Sequence, residues 1–254
     1  MFQKLGIFVS VPKNEWDDSQ PITAEIFGIE RSRQHARSLA ESQTVTLAPK
    51  RVHSIVNRLN DNSDALLKCF QEITKAISAG KSVTPAAEWL IDNYHLVEEQ
   101  IRQTRADLPA GYYNQLPKLE SGPLAGHPRI FGLVWAHVAH TDSSFSPDQL
   151  TDFVNEYQVV QPLTIGELWA VAISLRLILI ENLRRISLRI VANRRSRDEA
   201  DSLADMILNP QTSRATVDLE YLRLDALDLS QAFVVQLIQR LRDQDGLAIG
   251  ALDW

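Results

Sequence analysis

Several residue groups in this sequence could carry chemistry. His137 and His140 stand three apart, with Asp142 just beyond and His127 upstream, a set from which a His/carboxylate metal site can be drawn. Helical zinc pairs more commonly use an i, i+4 spacing with a glutamate beside the first histidine, and that glutamate is missing here. The pattern reads as structural: His140 or Asp142 caps a helix end, His137 bonds to a neighbour, and no metal is assigned. Glu98 and Glu99 offer carboxylates within the polar run Asp92 to Gln100. Adjacent helical residues point about 100° apart, so these two cannot flank one bond as glycosidase carboxylates do. Pairs with His95 and Arg102 account for them. Gly80-Lys81-Ser82 resembles the end of a phosphate-binding loop, but Lys75 stands where the first glycine belongs, and this Gly80 is placed to close a helix. Cys69 sits among Leu66, Leu67, Phe70 and Ile73, as a packed thiol would, and no G-x-S-x-G elbow occurs. No catalytic residue and no cofactor is assigned.

Two groups suit contact better than catalysis. Tyr112 and Tyr113 offer ring faces to a sugar, with His140, Asp142 or Glu98 as polar contacts. Arg184, Arg185, Arg189, Arg194, Arg195 and Arg197 follow one another with no acid among them, which suits an anionic membrane surface. Glu181, Asp198, Glu199 and Asp201 flank the run, so a solvated, salt-bridged face is the simpler expectation. Nucleic acid is disfavoured by the net charge of −6 and by the lack of aromatics among the arginines.

The elements that must position these residues are helical. With 44% hydrophobic and 23% charged residues over 254 positions, the chain has the composition of a folding globular protein with a substantial core. A single cysteine rules out an internal disulfide and points to a reducing compartment. The apolar start lacks a cleavage pattern, and the most apolar run, Leu168 to Ile180, is far shorter than the roughly 20 residues a spanning helix needs, so it reads as a buried helix. Apolar residues recur at helical spacing from Ile22 to Leu39. A second block from Val52 to Ile77 pauses at Asn60-Asp61-Asn62-Ser63 and stops at Gly80. Thr84-Pro85 opens a helix that ends at Asp107-Leu108-Pro109. Residues 109–127 form a Pro/Gly-rich inserted loop that packs through Tyr112, Tyr113 and Leu116. A helix over 129–140 follows, then one capped at Ser146-Pro147, then the longest, opened by the capping box Thr164 to Glu167 and running to Arg195. Weaker helices cover 199–208 and 230–242. The expectation is an all-α, irregular multi-helix bundle with one long central helix. A segment 1–20 precedes the helical region 21–245, which divides into lobes 21–108 and 128–245 about the loop. A tail, 246–254, closes it, reading like a truncated end.

The stretch from AEWLIDNYHLVEEQ through GYYNQLPKLESGPLAGHPRIFGLVWAHVAHTDSSF to YQVVQPLTIGELWAVAISLRLILIENLRRI resembles the N-terminal cytosolic helical region of cyclic β-1,2-glucan synthases. ITAEIFGIERSRQHARSLA resembles its start and LSQAFVVQLIQRLRDQD its continuation, so the likeness covers most of residues 20–245. Members of that family polymerise glucose from UDP-glucose with a membrane-embedded transferase domain and then cyclise the product. No residue of this chain matches their catalytic motifs, so the resemblance implies a noncatalytic accessory or scaffolding region. Its partner is then the membrane-embedded transferase part, with an anionic membrane surface or glucan as further contacts. Its place is cytoplasmic, at the inner face of the inner membrane. The alternative is a carbohydrate-binding or small hydrolytic helical domain.

Overall fold

Helix starts are written locally and the structure uses them. In this computed structural model, which describes residues 20–46, 49, 52, 54–108, 111–208 and 230–242, a helix α1 spans Ile29–Ser42, α2 Ile55–Ser78, α3 Pro85–Asp107 and α4 Tyr112–Gln115. α5 covers Arg129–His140, α6 Pro147–Val160, α7 Ile165–Leu208 and α8 Gln231–Arg242. Thr84 Oγ1 accepts the Ala87 amide at 3.3 Å, and Ser146 Oγ accepts that of Gln149 at 3.4 Å. At α7 the capping box is reciprocal: Thr164 Oγ1 accepts the Glu167 amide at 3.2 Å while Glu167 Oε2 accepts the Thr164 amide at 2.9 Å. Gly80, at φ +71, lets the chain leave α2 through a left-handed residue. Beside the helices lies one antiparallel ribbon, β1 (Val45–Thr46) against β2 (Lys118–Leu119), in the register Val45 to Leu119. The fold is all-α, as the periodicity implies.

Four local expectations are corrected. Residues 21–28 are not helical: the Ala24 and Phe27 amides donate to the Ala139 and His140 carbonyls at the end of α5, at 2.8 and 3.1 Å, and α1 begins only after Gly28. Long-range partners for the backbone outweigh the local period there. Asn60 to Ser63 do not interrupt α2, whose neighbouring Leu59 and Leu66 are fully buried, so packing overrides the turn propensity of those residues. α7 does not stop near Arg195 but continues to Leu208, absorbing the separate helix expected over 199–208. The run Leu168 to Ile180 is only partly buried, because Trp169 and Leu168 face solvent. The inserted loop carries α4 and β2, and it does pack through Tyr113 and Leu116, both buried. The expected segment 1–20, save Gln20, and the tail 246–254 lie outside the described residues.

The chain divides into two compact units, one drawn from residues up to Leu67 and from Tyr94–Ile186, the other from Lys68–Asn93 and from Ser187 onward. In the first, α1 lies against α6, with Ala36 and Ala40 buried on one side and Leu150, Phe153, Val154 and Tyr157 on the other. Arg33 reaches Asp152 at 2.8 Å and Arg37 reaches Glu156 at 2.7 Å across that contact. α5 is the most buried helix of this unit, with Ile130, Phe131, Leu133, Val134 and Val138 in the core. In the second unit Ala200, Leu203 and Phe233 form a cluster flanked by Ile207 and Leu237, and Cys69, Ile73, Ala87 and Leu90 are buried. Among the described residues no helix is long and apolar enough to cross a membrane.

Candidate functional site

The first unit contains a cleft of about 880 Å³, lined by the end of α1 (Leu39, Ser42), Gln43, the turn Ser121 to Leu124, one side of α5 (Gly132, Trp135, Ala136) and Arg185 of α7. The close approach of α5 to β2 shapes its floor: a Cβ on Gly132 would sit 2.7 Å from Leu119 Cδ1. Arg185 lies over the Trp135 ring at 5.3 Å from its centroid, a cation–π arrangement. The lining is therefore an aromatic face, a guanidinium, one amide and two serine hydroxyls set among aliphatic groups. It offers hydrogen bonds and a ring face, with no carboxylate or imidazole for proton transfer.

Two buried charge networks hold this lining in place. Glu181, 1% exposed, accepts from Arg58, from Arg184 Nη2 at 2.9 Å and from Arg185 Nε at 2.9 Å, all on Oε1. Burial pushes the Glu181 carboxyl up, but the guanidinium of Arg58 and then Arg184 outweigh it and hold the group below its ordinary range. Arg185 also donates from Nη1 to the Gln20 carbonyl at 3.0 Å, so its head is fixed from two sides. The second network starts at Arg129, which donates two bonds to Glu167, at 2.8 and 2.7 Å, one to Gln161 Oε1 at 2.7 Å and one to the Pro162 carbonyl at 3.2 Å. Burial works against the Arg129 charge, and the bonds it donates to Glu167 more than restore it. Tyr157 donates to Gln43 Oε1 at 2.9 Å, Gln161 Nε2 donates to the Gln43 carbonyl at 3.1 Å, and Gln43 lines the cleft. Burial pushes the Tyr157 phenol up to about 12, so it stays a donor at any ordinary pH.

The residues singled out in the sequence are dispersed. Tyr112 donates its hydroxyl to the Gly166 carbonyl, and its ring meets that of Tyr113 edge-on at 5.7 Å. Tyr113 is buried, which raises its phenol to about 12, with Ser174 pulling the other way. Lys118 donates to the Tyr113 carbonyl, and burial lowers its amine to about 8. His140 stacks on Phe27 at 3.8 Å, meets His35 at 4.7 Å, and its Nδ1 lies 2.7 Å from the Glu25 carbonyl. Asp142 is exposed at φ +50, and Glu98 is exposed on α3. None of Tyr112, Tyr113, His140, Asp142 and Glu98 lines the cleft. His137 does not bond to a neighbour as expected: its ring packs against Phe153 at 5.3 Å and neither nitrogen has a partner among the described residues. Among the described residues no three of His, Cys, Asp or Glu are grouped to hold a metal ion.

The arginine run splits by burial. Arg184 and Arg185 are buried on Glu181. Arg194 pairs with Asp198 at 3.2 Å, Arg195 pairs with Glu72, Arg189 is exposed and Arg197 is half-buried. The cleft residues Gln43, Trp135 and Gly132 carry no spacing signal; only Arg185 lies in a run that sequence reading could single out.

Fold and site together define an all-α module in which Glu167 and Glu181 are paired with arginines and the cleft is lined without a carboxylate or imidazole. No family model matches the chain. The chain is similar to the cyclic β-(1,2)-glucan synthase NdvB of Rhizobium meliloti (strain 1021), at 36% identity over 242 residues that make up 94% of this chain. The likeness to cyclic β-1,2-glucan synthases is thus shown across nearly the whole sequence, while the chain spans only 8% of the length of that curated relative.

Proposed function

We propose that the chain is a noncatalytic helical module of a cyclic β-1,2-glucan synthase, which scaffolds the membrane-embedded transferase part at its cytosolic side. The observation that carries this reading is the commitment of Glu167 and Glu181, the two fully buried acids among the described residues, to arginine pairs. Carboxylates buried against guanidiniums are occupied by those partners and shielded from substrate. Of the arginine run, Arg189, Arg195 and Arg197 retain exposure enough to meet anionic headgroups. Purified chain should neither transfer glucose from UDP-glucose nor cut linear β-1,2-glucan. Added to membranes that carry a synthase deleted for the matching stretch, it should restore cyclic glucan formation. Turnover by the chain alone would sink this reading.

A second role is favoured by the cleft. A half-buried indole beside an amide and hydroxyls is suited to the apolar face and the rim hydroxyls of a glucose ring. Titration calorimetry with linear and cyclic β-1,2-glucans should show saturable binding that Trp135→Ala weakens at least about tenfold, equivalent to about 1.4 kcal/mol. Binding unchanged in that variant would place the sugar elsewhere or nowhere.

A further inference from the structure

The first turns of α7 present an apolar face to solvent. Ile165 is 74% exposed and Trp169 77%, Leu168 is 38% exposed and Ala172 is exposed, while Leu175 and Leu179 are half-buried. Ile165, Leu168, Ala172, Leu175 and Leu179 follow one another at intervals of 3, 4, 3 and 4 residues, the a/d spacing of a helix that packs along another helix. From Val159 to Leu175 the sole charged residue is Glu167, and it is buried against Arg129. A face built for a lipid surface would carry a basic rim. Here the nearest cation along the face, Arg176, is already paired with Asp107 at 2.7 Å. A helix is the better partner.

We propose that this face pairs with the same face of a second copy of the chain, the two α7 segments running antiparallel across a two-fold axis at Ala172. The stripe reads nearly the same in both directions from that residue: Ile165 and Leu179 each lie seven positions away, Leu168 and Leu175 four and three. An isologous contact needs such self-complementarity. A small residue at the centre lets the helix axes approach to roughly 8–10 Å. Each chain carries a net charge of −6, so most of its surface repels a copy. The uncharged stripe is a place where two copies meet without opposing like charges. Its apolar side chains expose roughly 400–500 Å² per chain, and a pair with its rim would bury on the order of 1,000 Å², the lower limit for specific association.

Sedimentation velocity at about 1–100 µM tests this, that range bracketing a micromolar dissociation constant. The full chain should show a monomer–dimer equilibrium. Trp169→Glu should raise the dissociation constant at least tenfold with unchanged circular dichroism, since that side chain is largely exposed. Under mild oxidation Ala172→Cys should cross-link to itself, whereas Ile165→Cys should not, because the two copies of residue 165 would lie about 20 Å apart. The native Cys69 is buried and stays silent. A monomer at every concentration, a dimer indifferent to Trp169→Glu, or self-linking of Ile165→Cys would each overturn the proposal. A monomer that sediments with phosphatidylcholine vesicles through Trp169 would overturn it too, and assign the face to lipid.

Discussion

α7 makes ion pairs in two very different settings. At Glu181 one carboxylate with 2% side-chain exposure receives Arg184 and Arg185, exposed 8% and 5%, and Arg58 at 11%. Further along, Arg195 meets Glu72 with exposures of 60% and 32%, and Asp198 meets Lys81 at 2.9 Å with 35% and 49%. Arg195 and Glu72 are the same residue types as the buried set. In the first setting the charges have left water, so each depends on its partners. In the second, water screens the pair and the side chains lose entropy to hold it, so the net contribution is small.

The most direct way to break this comparison is Glu181→Ala. Removing the shared carboxylate from a buried set of guanidiniums should cost about 3–5 kcal/mol in urea unfolding, or prevent folding altogether. Arg129→Ala comes next, at about 3 kcal/mol, because Glu167 would keep a buried charge without its bidentate partner. Replacing both, as Arg129→Met with Glu167→Met, should cost less than the single change, and a double mutant worse than Arg129→Ala would show that the pair itself is the source of stability.

Acid should act in the same direction, in two stages. Burial, and for His35 also the nearby His140, lowers the pKa of His137 and His35 from the ordinary 6.5. The unfolded chain therefore binds more protons, and stability present above pH 6.5 is lost as pH falls towards the lowered values. Glu181, lowered in the fold, adds a further loss below pH 4.5. Melting temperature should thus fall between pH 7 and 5, and His137→Phe should flatten that slope; an unchanged slope would remove His137 from the account. The smallest effect belongs to Arg195→Ala, which should stay within about 1 kcal/mol and shrink in high salt. A larger loss there than at Glu181 would erase the contrast.

What the sequence disclosed follows the range of the forces involved. Caps at Thr84, Ser146 and Thr164 and the stop at Gly80 are contained within a few residues, and these match the structure. The errors arise where distant partners decide. Nothing near Ile22 reveals that the following amides will meet the end of α5, and nothing near Arg184 distinguishes it from Arg195 until Arg58 and Gln20 are brought close to Glu181 and Arg185. Apart from Arg185, the cleft was not legible. Its glutamine, its arginine and the tryptophan–glycine side of α5 come from separate segments, and a concave surface has no period.

Glu167 closes the first turn of α7 and is gripped by a guanidinium 38 positions earlier. The order of events in folding follows. A capping carboxylate stabilises the first turn of a helix locally, but here the same carboxylate also pairs with Arg129, which requires that the intervening chain has closed and α5 has docked. Local nucleation and long-range assembly become one step, so Arg129→Ala should slow refolding as well as hasten unfolding.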